Sequence, residues 1–362
     1  LLRIHFLNVG HGDCTIIEHP SGRLTMIDIN NSQDYDFDSF NDLVADKRRQ
    51  IEAAHLDSAV LGAGPANVLG GLVPPPARTG LGGLLSPENV LADRGFSSSL
   101  LGLGALGGYD AAYADAAQDA KGELTDPIAF LQREYPGRSL FRFVLTHPDL
   151  DHMRGLKRLH ETIGFTNFWD TRHTKPTPNF RSDADREDWI FYQAIRSSAK
   201  FYTRGETHFA FAHDQDGTAG GDHIEILSPT PILLASCNAA GKSNDLSLVL
   251  RIRHGTRSFL FAGDAEAEAW DDMVECYGPA LKSDYLKASH HGRDSGHHSE
   301  ALKHIAPRIT FVSVGRKPDT DASSKYRQQC NKVASTRFYG DMELRVNDDA
   351  SLRWFVQRNA DK

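Results

Sequence analysis

The densest run of chemically capable side chains is His147-x-Asp149-x-Asp151-His152, four metal-ligand types within six residues. Imidazole suits zinc and other transition metals, and carboxylates also suit harder ions such as manganese. The run follows a hydrophobic stretch, Phe141–Leu145, and precedes a helical pattern with Leu156, Leu159 and Ile163 on one face. A strand end is a rigid support for such a cluster. The competing reading is that Asp149 or Asp151 caps the helix, which accounts for one carboxylate but not for the other or for the histidines.

Two further hydrophobic runs end in candidate ligands. Phe259-Leu260-Phe261-Ala262-Gly263 delivers Asp264, which would be an ordinary strand-end residue if it stood alone. Leu286-Lys287-Ala288-Ser289 delivers His290 and His291, with Gly292 expected to admit a close backbone approach to a metal or substrate. Adjacent side chains diverge, so one histidine of the doublet is expected to ligate, with His291 preferred. Asp13, His11, Asn244, Ser247 and Arg293 are candidates to line the site and contact substrate. Ser295, His297 and His298 could join Arg293 on a phosphate, the competing reading being a solvated loop. Arg251, Arg253, His254 and Arg257 alternate as an exposed strand face would.

The order HxDxDH, then a strand ending in Gly-Asp, then a strand ending in His-His-Gly, resembles the metallo-β-lactamase superfamily. Finer features are similar to its ComEC competence-type branch: Asn8-Val9-Gly10-His11-Gly12-Asp13, Ile27-Asp28, Asn244–Leu250, Lys287–Gly292 and Val312-Ser313-Val314-Gly315. The likeness covers roughly residues 2–30, 125–165 and 223–350. It implies a four-layer αβ/βα sandwich with one or two divalent ions (Zn or Mn) at one edge of the sheets. His147 and Asp149 would hold one ion, Asp151 and His152 the other, and Asp264 would bridge. The chain departs from the pattern in three places. Asp149 stands where the broader superfamily has His. The middle ligand His has no convincing counterpart, His173 and His223 being the nearest, which implies a weak or vacant metal position. Arg154 replaces a common Gly.

The elements that position these groups read as an α/β layered fold. Three short strands open the chain, at Arg3–Val9, Cys14–Glu18 and Leu24–Ile29. Helices are expected at Pro127–Glu134, Met153–Ile163, Trp270–Cys276, Ser299–Ile305 and Ser324–Val333. Further strands are expected at Asn167–Thr171, His223–Leu227, Leu246–Ile252, Ser258–Ala262, Tyr285–Ala288, Ile309–Val314 and Leu344–Val346. Residues 31–122 break the pattern with a polar stretch and then a Gly/Leu-rich one. They read as an insertion after the third strand of a single domain spanning 1–362, either a surface excursion or an element for a protein partner or substrate.

Four scattered cysteines and the absence of any CxxC exclude a zinc ribbon and a thioredoxin-type site. The net charge of −8 excludes a broad nucleic-acid-coating surface, though not a local basic groove. No leader pattern opens the chain and no apolar run is long enough to span a membrane, so a cytoplasmic protein is expected. The expected activity is hydrolysis of phosphodiesters by a metal-activated water held by Asp151, with nucleic acid as the leading substrate. The alternatives are hydrolysis of small esters, lactones or phosphocholine-type compounds, and a catalytically silent binding or regulatory module with the same fold.

Overall fold

The computed structural model describes residues 1–31, 124–214, 220–315 and 317–357. The 31–122 insertion therefore lies, apart from residue 31, outside the described residues. All the elements named below fall in one compact unit.

Two sheets form the centre. The first runs β14-β13-β1-β2-β3-β4-β5-β6. Its strands are β1 (Leu2–Phe6), β2 (Thr15–Glu18), β3 (Leu24–Ile27), β4 (Leu140–Val144), β5 (Phe165–Asp170), β6 (Lys200–Phe201), β13 (Met342–Val346) and β14 (Leu352–Val356). The opening meander is antiparallel, as its tight turns require, and β3 to β6 are parallel. The second sheet runs β12-β11-β10-β9-β8-β7, with β7 (Ile224–Ser228), β8 (Val249–His254), β9 (Arg257–Phe261), β10 (Tyr285–Lys287), β11 (Ile309–Val312) and β12 (Lys332–Ser335). Strands β9 to β12 are parallel.

Period-two burial explains the layering. On β1, His5 faces helix α1 (Pro127–Glu134), where it meets Phe130 and Tyr135, while Phe6 faces the other sheet and stacks on Phe311 at 4.6 Å. On the second sheet, Phe259, Phe261, Tyr285 and Phe311 form the inner face. Their neighbours Leu260, Leu286 and Val312 point outward into a core with α4 (Pro231–Ala240), α5 (Ala267–Tyr277), α6 (Ser299–Ile305) and α7 (Ser323–Arg327). The outer face of the first sheet packs on α1, α2 (Leu156–Thr162) and α3 (Asp183–Ile195) through Phe143, Phe168, Leu131, Leu159 and Trp189. The result is the expected αβ/βα sandwich. Among the described residues no helix is long and apolar enough to cross a membrane.

Several elements differ from expectation. The expected helix Ser324–Val333 splits into α7 and the edge strand β12. The helix expected from Met153 starts at Leu156, because a 3-10 turn, Leu150–His152, first swings the chain round. Arg251 is buried rather than exposed: Glu225 takes its guanidinium and the Ala280 carbonyl accepts from it at 2.6 Å, whereas its neighbour Arg253 is exposed.

Candidate metal centre

The parallel strands of both sheets point their carboxyl ends at one edge, the position where α/β sheets place ligands. Asp28 follows β3, Thr146 and His147 follow β4, Asp264 follows β9, and His290 and His291 follow β10. Gly263 has φ +53°, and a Cβ there would meet Thr146 Cβ at 2.9 Å. Glycine therefore lets the ends of β4 and β9 close on each other. Gly292 is needed for another reason than expected: a Cβ would strike Val312 Cγ1 at 2.8 Å, so the close approach is to β11.

Three imidazoles are oriented the same way. Asp28 Oδ1 accepts from the Thr146 amide at 2.7 Å, and Oδ2 accepts from Thr146 Oγ1 at 2.7 Å and from His152 Nδ1 at 2.8 Å. His291 Nδ1 donates to the Ser313 carbonyl at 3.0 Å. His147 Nδ1 donates to Thr146 Oγ1 at 3.1 Å, since that hydroxyl has given its own proton to Asp28. With Nδ1 engaged as donor, each Nε2 is left to present a lone pair.

Those three Nε2 atoms, and Asp264 Oδ1, are buried without a hydrogen-bond partner. Asp264 Oδ2 lies 3.4 Å from His152 Nε2 and 3.6 Å from both His147 Nε2 and His291 Nε2. Asp151 Oδ2 lies 3.3 Å from His291 Nε2. Buried polar atoms are costly to leave unpaired. Donors about 2.0–2.2 Å from a shared tetrahedral ion stand about 3.3–3.5 Å from each other. Spacing and donor chemistry together fit a divalent cation. Two donor groups meet at His291: Asp13, His152, Asp264 and His291, and His11, Asp151 and His291.

Burial disfavours charge on His152 and His291, but the carboxylates around them outweigh it and raise both pKa values, with Asp264 the strongest in each case. The Asp264 carboxyl is held well below its usual range, because the charges of His152, His291 and His147 outweigh burial. An arriving cation would displace the protons these groups share. Burial pushes His11 down to about 4, so it is neutral at pH 7 and accepts from Arg293 Nη2 at 3.0 Å.

The remaining expected residues take different places. The two members of the doublet diverge: His291 is buried and aimed at Asp264. His290 turns outward, its Nδ1 2.8 Å from Glu266 Oε1 and 2.7 Å from Ser295 Oγ, and its Nε2 is 3.8 Å from Asp264. Asp149 Oδ1 is 3.6 Å from His147 Nε2, but Lys175 Nζ holds it. Asn244 Nδ2 donates to Glu266 Oε1 at 3.2 Å. Ser247 is fully buried and its hydroxyl accepts from the Asp264 amide at 3.1 Å, so it positions Asp264 and is not open to substrate. Asp13 is likewise buried, paired with Lys287 Nζ at 2.7 Å. His298 caps α6 by accepting from the Ala301 amide. His173 faces the Tyr192 hydroxyl, and His223 pairs with Asp214 at 3.6 Å, so neither serves as a middle ligand.

Asp28, Thr146, Lys175, Lys287 and Glu266 were not among the residues expected at the site. Asp28 had a readable signal, a carboxylate at the end of β3, which runs beside β4. Asp28→Asn removes the anion behind His152, and metal affinity is expected to fall about 10–100-fold. Competition with a chelating dye measures it; a change below twofold would remove Asp28 from the account.

No family model matches the chain. The ComE operon protein 3 of Bacillus subtilis is 23% identical over 188 residues, covering 49% of this chain and 20% of that protein. The uncharacterized protein YcaI of Escherichia coli is 28% identical over 75 residues, covering 21% of this chain and 10% of that protein. The chain thus spans a fifth or less of the length of these two relatives. Among solved structures, the metallo hydrolase Igni18 of Ignicoccus hospitalis aligns over 98% of both chains at 12% identity and a TM-score of 0.40. The metallo-beta-lactamase fold protein YhfI of Bacillus subtilis aligns over 98% of this chain and 100% of its own at 10% identity and a TM-score of 0.37.

Proposed function

We propose that this chain, which resembles the metallo-β-lactamase superfamily in motif order and layered fold, is a metal-dependent hydrolase of phosphodiesters, with nucleic acid as the leading substrate class. One observation carries the metal reading: three buried imidazole Nε2 atoms without partners converge on Asp264. His152, Asp264, His291 and Asp151 would hold the ion. A divalent ion bound there supplies a nucleophile at neutral pH and positive charge for the developing oxyanion.

The chain's own groups account for the rest. The Asp151 side chain is about a quarter exposed (27%), so one oxygen can face entering water and orient it by accepting a hydrogen bond. Arg293 has no carboxylate partner among the described residues and stands beside neutral His11 at the rim. A guanidinium so placed suits a phosphate oxygen, which favours anionic phosphodiesters over neutral esters and lactones. The competence-type resemblance favours nucleic acid within that class, and the alignment with the ComE operon protein 3 supports that resemblance.

The test is hydrolysis of bis-p-nitrophenyl phosphate by metal-stripped protein reloaded with Mn²⁺ or Zn²⁺, beside p-nitrophenyl acetate and the Asp151→Ala variant. Metal-dependent turnover of the phosphodiester, lost in Asp151→Ala, is expected. Turnover of the acetate alone would move the assignment to ester hydrolysis. Full activity in the variant would contradict the role given to Asp151.

A further inference from the structure

We propose that the site holds a single divalent ion, and that the Lys175 ammonium supplies the second positive charge by occupying Asp149. This rests on the metal reading above and specifies its stoichiometry. Both donor groups lie on the His291 side, and neither includes Asp149 or His147. On the opposite side, His147 Nε2 has Asp149 Oδ1 and Asp264 Oδ2 each at 3.6 Å. Among the described residues these three do not form a group whose ligand atoms all lie within 4.8 Å of one another. What reaches Asp149 is Lys175 Nζ, with Ser243 Oγ 3.3 Å from the same ammonium.

Lys175 is not a free surface side chain that strays into contact. The segment leading into it is held by Arg196 and Asn238. Arg196 Nη2 donates to the Thr171 and His173 carbonyls at 3.3 and 3.1 Å. Thr174 N donates to Asn238 Oδ1 at 2.7 Å, and Asn238 Nδ2 returns a bond to the Arg172 carbonyl at 2.9 Å. His173 Nε2 is held by the Tyr192 hydroxyl, and the Lys175 amide donates to His173 Nδ1 at 3.0 Å. The loop after β5 is therefore built to present an ammonium to Asp149. A second divalent ion there would have to share Asp149 with that ammonium and stand against its charge. The Lys175 side chain is 22% exposed, so the same ammonium can also face a phosphate oxygen as a point charge.

Equilibrium dialysis of the metal-stripped full chain against rising Mn²⁺, with bound ion measured by mass spectrometry, tests this in wild type, Lys175→Ala and His291→Ala. One equivalent is expected in wild type. Lys175→Ala frees Asp149 and should take up a second, weaker equivalent, and His291→Ala should lose the single one. Two equivalents in wild type would overturn the proposal while leaving the metal reading intact, as would a single equivalent in Lys175→Ala. No bound ion in wild type would overturn the metal reading itself.

Discussion

Asp264→Ala is expected to lower metal-dependent hydrolysis on the order of 10³-fold or more, with the fold kept. The carboxylate is the point on which the imidazoles of His147, His152 and His291 converge. Without it they have no anion between them and an ion loses its central oxygen donor. Metal electrostatics contribute several kcal/mol to such reactions, and each ~1.4 kcal/mol is a factor of ten in rate. The fold survives because His152 keeps Asp28 and His291 keeps the Ser313 carbonyl. The Gly263 turn and the Asp264 amide bond to Ser247 involve backbone, not the deleted carboxylate. Steady-state rates beside circular dichroism of the variant measure both halves. Activity within tenfold of wild type would contradict the site.

Asp222→Ala is expected to destabilise the protein by about 3–5 kcal/mol, the cost of leaving a buried charge without its partner. The Asp222 side chain is fully buried and accepts from Arg23 Nε at 3.1 Å, Arg142 Nη1 at 3.2 Å and Ser21 Oγ at 3.0 Å. Arg142 lies on β4 with 1% of its surface exposed, so its charge has no access to water once the carboxylate is gone. Burial works against ionised Asp222, but His19, Arg23 and Arg142 outweigh it and draw its pKa below the ordinary range. A depressed carboxyl stabilises the fold above its unfolded pKa near 3.9 and loses that contribution as pH falls through the folded value. Acid should therefore narrow the gap between variant and wild type. Urea unfolding at pH 7 and pH 2 measures both effects. Arg142→Met in the Asp222→Ala background should recover part of the loss, whereas a cost below ~1 kcal/mol for Asp222→Ala alone would show that water reaches Arg142.

The layered fold and the convergence of the candidate site residues were legible because strand ends carry both. Ser258–Ala262 and Tyr285–Ala288 read as buried strands, and the groups that follow them meet. The helix Ser299–Ile305 matches its expected bounds, since its apolar spacing and its neighbours agree. Two helices went unread although each carried a signal. Asp183–Ile195 has Ser182 as N-cap, its hydroxyl accepting from the Asp185 amide, but its acidic first turn hides the apolar face. Pro231–Ala240 has the Thr-Pro start and a Gly241 stop, but it is apolar on too many sides to show a period.

What the sequence did not yield at the site is pairing across distance. Lys175 meets Asp149 across 26 positions, Asp28 meets His152 across 124, and Lys287 meets Asp13 across 274. No local pattern encodes such pairs, because they follow from which strands become neighbours. The choice between His290 and His291 is of the same kind. Their left-handed backbone, φ +47° and +52°, sends one ring to Glu266 and the other to Asp264. Arg251 was misread because the alternation of a strand shows which side a residue is on, and not whether a carboxylate waits there.

The most direct test of the metal centre is anomalous diffraction at the manganese edge from crystals of the Mn²⁺-loaded protein. The account predicts an anomalous peak bonded to His152 Nε2, His291 Nε2 and Asp264. Those three side chains without a peak between them, or a peak elsewhere on the molecule, would contradict it.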